Sequence, residues 1–254
     1  MFLPLGRFRG KELNIESVEM KDLGDRMKRY ESVSQYKLTP RMPVIIRLDG
    51  RAFHTLTRKM GKPFDEVFMR SMVDAAQSTC QEIQGFKLAY VQSDEVNILL
   101  TDYDNHETEG WFRYKLSKMI SISAALMSVH FTQLIERNYM ECCEVFDSRA
   151  FNIPIEDVAN YFLWRVKDWN RNSLNMYAQS FFSHKQLINK HSSEVHEMLH
   201  SIGKNWATDL SDVCKNGTWI PKRGNAGSWN LSSYQEIENF VKEVINEPVD
   251  NVEN

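Results

Sequence analysis

The alternation of two apolar periodicities along residues 43–153 is the feature that most constrains the fold. Apolar positions at helical spacing predict helices, whereas short β-branched runs bounded by turn residues predict strands. The predicted order is strand, helix, strand, strand, helix and strand, at 43–48, 64–83, 86–91, 96–100, 111–135 and 144–146. This is the split βαβ order of a ferredoxin-like domain. We therefore expect an α+β fold in which helices back one face of an antiparallel sheet.

The remainder of the chain has a mainly helical pattern. Its predicted elements are helices at 155–182, 193–202 and 233–246 and a Gly- and Trp-rich loop or hairpin at 217–231. The strand candidate at 144–146 is followed by the polar residues 147–149 and then by 150–153. We expect a core over residues 1–153 and a helical extension over 154–254 that packs on it as one structural unit.

Composition excludes several classes of protein. The 254 residues are 42% hydrophobic and 26% charged, which rules out a disordered or collagen-like chain. The net charge is −3, but residues 1–62 hold 14 Lys and Arg against 7 acids. Residues 231–254 hold one Lys against six acids. A basic first quarter suits a polyanionic ligand or a solvated surface, and charge alone leaves both interpretations open.

Cysteine usage and hydropathy point to the cytoplasm. Cys80, Cys142, Cys143 and Cys214 form no CxxC pair, which is typical of a reduced compartment. The longest apolar stretch, 119–129, is too short to span a bilayer. We expect a soluble cytoplasmic protein that has no membrane partner.

Carboxylates fall where the predicted strands end. Asp49 closes the first strand, and Asp94 and Glu95 lie in the turn of the following hairpin. In a ferredoxin-like sheet the first strand lies beside that hairpin, so these acids can converge at one sheet end. Converging carboxylates suit two divalent ions such as Mg²⁺, which prefer oxygen ligands. The alternative is that Asp-Gly and Ser-Asp-Glu are simply common turn sequences.

Six short motifs add a family resemblance over about residues 20 to 220. They are RLDGRAFH (47–54), GKP (61–63), YVQSDE (90–95), KLSK (115–118), FDSR (146–149) and YFLWRVKD (161–168). Together they resemble the tRNA-His guanylyltransferase family. The resemblance implies a fold like the palm of polymerases. It also implies nucleotide addition to the 5′ end of tRNA in the 3′–5′ direction, with a helical extension that completes the RNA-binding surface.

The resemblance also implies roles for individual residues. Asp49 and Asp94 match carboxylates that hold two Mg²⁺ ions, and the backbone carbonyl of Gly50 matches a third ligand. Glu95 matches an acid that acts either in metal support or in activation chemistry. The residues matched to nucleotide binding are Asp49, Gly50, Arg51, Ala52, Phe53, His54, Ser93, Asp94, Lys62, Lys115 and Lys118. Those matched to tRNA contact are Arg149, Asn172, His184 and Lys185.

Two segments separate branches of the family. The stretch NRNSLNM (170–176) departs from the run typical of the eukaryotic branch, whereas SHKQL (183–187) resembles the bacterial and archaeal guanylyltransferase-like branch. That branch implies templated 5′-end repair of tRNA, beside the addition of G to tRNA-His. The implied substrates are GTP or another nucleoside triphosphate, with ATP open as a 5′-activating substrate, and the implied assembly is a homotetramer.

Two functions of other classes compete with this interpretation. The sequence HEMLH (196–200) is a literal HExxH. In a zinc hydrolase, His196 and His200 would bind the metal and Glu197 would act as the general base. Trp206 stands where an extended zinc motif needs its third histidine. The other alternative is a palm-like protein that binds tRNA without catalysis, against which the paired Asp49 and Asp94 argue.

Six tryptophans leave a further choice open. They are Trp111, Trp164, Trp169, Trp206, Trp219 and Trp229. Each is able to stack on a nucleobase, but a helix packed on a sheet uses tryptophan in its core equally well.

Overall fold

A computed structural model of the chain describes residues 23–136, residue 139 and residues 144–246. Residues 1–22, together with Cys142 and Cys143, lie outside the described residues. Cys80 and Cys214 carry free thiols. The chain divides into two units, residues 1–35 and 36–254. The first contains helix α1 (Leu23–Ser32).

The second unit has the predicted order of elements. Its strands are β1 (Val44–Gly50), β2 (Phe86–Gln92), β3 (Glu95–Leu100), β4 (Phe146–Asn152) and β5 (Thr218–Pro221). Its helices are α2 (Phe53–Leu56), α3 (Glu66–Gln81), α4 (Leu116–Ile135), α5 (Val158–Ala178), α6 (His184–Leu187), α7 (Ser192–Ser201), α8 (Trp206–Asp209), α9 (Asp212–Asn216) and α10 (Tyr234–Asn246). Short 3₁₀ turns occur at Thr57–Lys59, Trp111–Tyr114 and Ile155–Asp157.

The strands form one antiparallel sheet in the order β4-β1-β3-β2-β5. The first four strands have the neighbours that a ferredoxin-like domain requires, so the predicted α+β class is confirmed. β5 comes from the segment 217–231 and adds a strand beside β2. Its Trp219 also bridges to Gly227, as in a short hairpin.

The fourth strand extends beyond its predicted bounds of 144–146. β4 continues through Asp147, Ser148 and Arg149 and pairs with β1 from Phe146 to Asn152. The polar residues are tolerated because β4 is an edge strand with partly exposed side chains along its length. Polarity on an edge strand therefore marks an exposed position here and not a turn.

One face of the sheet carries α3 and α4, as expected. β1 contributes Ile46 and Leu48 to this core, which α3 and α4 cover with residues such as Met72 and Phe131. α3 begins at a capped end, because the carboxylate of Asp65 accepts the backbone N–H of Phe68 at 2.9 Å.

The other face of the sheet is covered as well, by α5 and α10. Ile45 and Leu99 of the sheet lie in one cluster with Phe162 of α5 and Val241 of α10. The expectation that helices back one face holds for the first 153 residues, and the C-terminal helices cover the opposite face. The division of the chain at residue 153 stays a prediction.

Helix α4 starts later than its pattern predicts. Phe112 and Arg113 adopt left-handed backbone angles, so Trp111–Tyr114 is a separate turn ahead of Leu116. The Tyr114 carbonyl accepts a hydrogen bond from the distant backbone N–H of Leu38 at 3.0 Å. The α-helix thus begins after this local connection.

α4 is also longer than the apolar stretch seen in the sequence. By length and composition alone its 20 residues are able to cross a membrane. Its buried residues, however, include Met127 and Phe131, which lie in the core between α3, α4 and the sheet. The hydroxyl groups of Ser123 and Ser148 are 2.8 Å apart, which joins α4 to β4. One face of α4 is thus packed in the core, while Ile122 and Val129 are exposed.

Candidate active site

The sheet brings three predicted acids together at one end. Asp49 of β1 is the register partner of Glu95 in β3, so the two residues lie side by side on one face. The backbone N–H of Gly50 donates to the carbonyl of Asp94 at 3.0 Å. The end of β1 is therefore bound to the β2–β3 turn that carries Ser93 and Asp94. This geometry follows from the antiparallel pairing of β1 with the hairpin.

Glu95 is enclosed by donors. Arg165 of α5 grips its carboxylate with two contacts, Nε to Oε1 at 2.7 Å and Nη2 to Oε2 at 2.9 Å. Arg47 reaches Oε2 at 2.8 Å. The side-chain amides of Gln92 and Asn97 donate to Oε1 at 3.0 and 2.8 Å. Glu95 is 6% exposed, so this carboxylate is a buried anchor that holds α5 against the sheet.

Asp49 and Asp94 have much less positive charge near them than Glu95 has. Asp49 has one ion-pair partner, Arg47, at 3.4 Å, and its side chain is 34% exposed. Burial raises the pKa of Asp94, and the nearby charges of Asp49 and Glu95 raise it further. A bound divalent cation would relieve this repulsion. Two adjacent acids short of positive charge are a donor set that fits Mg²⁺.

The remaining ligands of such an ion would not be acidic side chains or imidazoles. Among the described residues, no three His, Cys, Asp or Glu side chains converge to hold a metal. An ion bound by Asp49 and Asp94 would therefore complete its shell with backbone carbonyls, water or phosphate oxygens. Mg²⁺ in phosphoryl-transfer sites is commonly held in this way.

The three acids line a cleft of about 490 Å³. Its size is that of a small-molecule site. The lining residues are Arg47, Asp49, Gln92, Ser93, Asp94, Glu95, Arg165, Asp168, Trp169, Asn172, Asn175, Met176 and Gln179.

The loop after β1 is shaped by an aromatic anchor. Phe53 is 3% exposed and packs against Phe131 and Phe146, with ring centroids 5.2 and 5.0 Å away. A Cβ on Gly50 would lie 2.5 Å from the Phe53 ring, so this position needs glycine. Any contact of Phe53 with a nucleotide is therefore left to its backbone. The neighbouring residues Arg51, Ala52 and His54 are exposed.

The predicted lysines do not gather around the acids. Lys62 is exposed and donates to the carbonyl of Thr57 at 2.8 Å, in the loop that follows α2. Lys115 and Lys118 lie at the start of α4. α4 runs antiparallel to β4, so its start lies at the sheet end opposite Asp49. Lys115 forms a bridge with Lys37. Two residues further on, the backbone N–H of Thr39 donates to the side chain of Asn152, which lies at the end of β4 far from Asp49.

The residues predicted to contact tRNA are partly near the cleft. Asn172 lines it, and its amide donates to Asp168 at 3.3 Å. Arg149 is the register partner of Arg47 on the exposed side of β4, with a side chain that is 60% exposed. His184 and Lys185 are exposed on the short helix α6, beyond the end of α5.

Sequence reasoning missed Arg165 and Asp168 as parts of the site. Arg165 lies on the buried face of α5 among Phe162, Val166 and Trp169. A charged residue within an apolar helical stripe signals a buried ion pair, and this signal was present in the sequence. The partner Glu95 is 70 residues away, so the pair itself was not predictable from spacing.

The HExxH segment has no third ligand near it. His196 and His200 lie on α7, and the ring of Trp206 is 6.0 Å from that of His196. Burial lowers the pKa of His196, as expected for a neutral imidazole packed on an aromatic ring. In the described part of the chain no third metal-ligating side chain joins the two histidines. The zinc hydrolase interpretation has no geometric support.

Comparison with known proteins places the chain among the nucleotidyltransferases. The family model described as Thg1: tRNAHis guanylyltransferase matches residues 24–154, just over half of the chain. The chain belongs to the tRNA-His guanylyltransferase family.

Several relatives support this assignment. An uncharacterized protein of Acanthamoeba polyphaga mimivirus is 30% identical over 193 residues, 66% of this chain and 66% of that protein. The tRNA(His) guanylyltransferase of Schizosaccharomyces pombe is 29% identical over 219 residues, 76% of this chain and 80% of that protein.

Two solved structures are also similar. A bacterial tRNA(His) guanylyltransferase (Thg1)-like protein in complex with ATP is 37% identical, with a TM-score of 0.83, and the match covers 88% of this chain and 99% of that one. A bacterial Thg1-like protein in complex with GTP is 34% identical, with a TM-score of 0.75 and the same coverage.

Proposed function

We propose that this protein adds nucleotides to the 5′ end of tRNA in the 3′–5′ direction, in a reaction that uses two Mg²⁺ ions. The observation that carries the proposal is the undercompensated pair Asp49 and Asp94 at the mouth of the cleft. The names of the relatives support the substrate class, since they include tRNA(His) guanylyltransferases and Thg1-like proteins in complex with ATP or GTP.

In this proposal Asp49 and Asp94 hold the ions, with the Gly50 carbonyl as a further ligand. When bound, the ions would activate the attacking 3′-hydroxyl and neutralise charge on the leaving pyrophosphate. The exposed residues Arg51, His54 and Lys62 would contact the outer phosphates in this proposal. Such contacts orient the triphosphate in line with the attacking group.

Glu95 acts differently in this proposal. Its carboxylate oxygens are taken by Arg165, Arg47 and two amides, so it positions the Ser93–Asp94 turn instead of binding an ion. The buried Arg165–Glu95 pair would hold Asp49 and Asp94 at a constant separation. In this proposal Glu95 is thus a positioning residue and not a metal ligand.

Segments 170–176 and 183–187 favour template-directed repair over the addition of a single fixed G. A repair enzyme gains discrimination from the fit of the incoming base pair, whereas fixed addition depends on other contacts with the tRNA. The 5′ end to be extended would carry a triphosphate, with activation by ATP as the second route. We further propose a cytoplasmic homotetramer, in which Arg149, Asn172, His184 and Lys185 contact tRNA.

The proposal is tested with a tRNA that lacks its first nucleotide and carries a 5′-triphosphate. The opposing base of the acceptor strand is varied through all four bases, and each labelled nucleotide is offered with Mg²⁺. We expect the added nucleotide to follow the opposing base, in tRNAs other than tRNA-His as well. Addition of G whatever the opposing base, restricted to tRNA with the histidine anticodon, would contradict templated repair. Tight binding of the tRNA without any addition would favour the non-catalytic alternative.

A further inference from the structure

Trp164 stands out among the tryptophans of the described residues. Trp111, Trp169 and Trp219 are each less than one-tenth exposed and belong to the core or to the cleft wall. Trp164 lies on α5 and is 52% exposed. A half-exposed indole leaves part of a large aromatic ring open for stacking.

The indole of Trp164 is nevertheless firmly supported. The guanidinium of Arg165 lies 4.4 Å from the centroid of its ring. The ring of Tyr161 meets it edge to face, with centroids 5.8 Å apart. Arg165 is in turn locked by its double contact with Glu95, the register partner of Asp49. The indole is thus a rigid platform, connected through one arginine to the end of the sheet that carries the acids.

Exposed cations lie on the same helix as this platform and on strand β4, whose Phe151 contacts Tyr161 of that helix. Arg149 of β4 is 60% exposed, and its nearest acid is Asp147 at 3.8 Å. Lys167, one helical turn beyond Trp164, is exposed and has no acidic partner within 4 Å among the described residues. Arg171 follows one turn later and bonds to Asp168. Phe151, with its ring 5.8 Å from Tyr161, extends the aromatic surface along β4.

An aromatic platform bordered by exposed cations is how proteins bind single-stranded nucleic acid. A base stacks on the ring, and Lys or Arg contacts the phosphates on either side. We propose that Trp164 stacks on an unpaired base at the end of the RNA substrate, with Arg149 and Lys167 on the flanking phosphates. The inference depends on the proposed function for the identity of the RNA, and it assigns to Trp164 the positioning of that RNA end beside Asp49 and Asp94.

The kinetic test compares Trp164→Ala and Trp164→Phe with the wild type. Loss of one stacked base should raise the KM for a 5′-truncated tRNA about 5- to 100-fold in Trp164→Ala, with kcat and the KM for GTP changed less than about twofold. Trp164→Phe keeps a ring and should recover most of the affinity. The matched control is Trp229→Ala, because Trp229 is 39% exposed but packs on Phe240 of α10. The KM of this variant for tRNA should equal that of the wild type. An unchanged KM for tRNA in Trp164→Ala, or an equal rise in the KM for GTP, would overturn the inference.

A binding test separates this inference from the proposed function. A short single-stranded RNA of acceptor-end sequence should quench tryptophan fluorescence in the wild type and in Trp229→Phe, with most of the quenching lost in Trp164→Phe. If the wild type shows this pattern but adds no nucleotide, the proposed function fails and the platform stands. If nucleotide addition is normal and Trp164→Phe is quenched like the wild type, the platform is wrong and the proposed function stands.

Discussion

At the scale of single residues, the site separates two kinds of acid that look alike in the sequence. Glu95 is enclosed by Arg165, Arg47 and two amides, whereas Asp49 and Asp94 face the cleft with little compensation. All three acids lie at the same end of the sheet, Asp49 in β1, Asp94 in the β2–β3 turn and Glu95 in β3. The difference between them therefore comes from burial and partners. One acid therefore stabilises the site and the other two are available to bind cations.

The Arg165–Glu95 pair should dominate local stability. Arg165→Ala leaves the Glu95 carboxylate buried with half of its charge partners, so we expect a loss of about 3–5 kcal/mol in the free energy of unfolding. Urea denaturation followed by circular dichroism measures this loss. Arg171→Ala is the control, because Arg171 is an exposed partner of Asp168 and should cost about 1 kcal/mol or less. Equal effects in the two variants would contradict the anchor role of Glu95.

Asp94 should make stability depend on pH in the opposite sense to an ordinary paired acid. Its pKa in the folded state is raised above 3.8, so ionisation of Asp94 disfavours folding. That cost grows as the pH rises from about 3.8 through the folded-state pKa and is complete above it. Asp94→Asn should therefore raise Tm at pH 7, by about 2–4 °C for each kcal/mol of relieved repulsion, and the gain should shrink towards pH 4.

Thermal melts at the two pH values measure this effect, with Mg²⁺ as a second variable. Mg²⁺ should raise the Tm of the wild type at pH 7 and have little effect on Asp94→Asn. A variant that is less stable than the wild type at pH 7 without Mg²⁺ would show that Asp94 is stabilised by its surroundings. Asp74→Asn, a change of a half-exposed acid on α3, is the control for loss of a carboxylate.

At the scale of elements, the order of strands and helices follows the sequence pattern in both halves of the chain. The order of strands and the convergence of Asp49 with the hairpin are local consequences of the ferredoxin-like order. The covered second face, the continuity of β4 and the opposite placement of Lys115 depend on contacts between distant segments. Spacing along the chain does not carry that information, since pairs such as Arg165 and Glu95 are 70 residues apart.

The α7 element provides a test of the competing enzyme class. His196→Ala and His200→Ala should leave nucleotide addition within about twofold of the wild type, because α7 packs in a separate small cluster through Val195 and Leu199. Elemental analysis of purified protein should show no stoichiometric zinc. One zinc ion for each chain that is lost in these variants would restore the hydrolase interpretation.

At the scale of the whole molecule, an acidic chain is proposed to bind a polyanion. The net charge of −3 does not attract RNA by itself, so binding depends on where the cations lie. The described surface concentrates Arg149, Lys167 and Arg171 beside the acidic end of the sheet. Assembly of several copies would extend such a surface, which agrees with the proposed homotetramer.

The most direct measurement is 5′ nucleotide addition by the wild type, Asp49→Asn and Asp94→Asn across a titration of Mg²⁺. We expect the wild type to extend a 5′-triphosphorylated tRNA lacking its first nucleotide, and each variant to lose at least about 10³-fold in rate at every Mg²⁺ concentration, since neutral amides bind Mg²⁺ poorly. Asp74→Asn should behave as the wild type. Circular dichroism confirms that each variant is folded. Near-normal rates in either Asp49→Asn or Asp94→Asn at saturating Mg²⁺ would contradict the assignment of these two acids as the metal-binding pair.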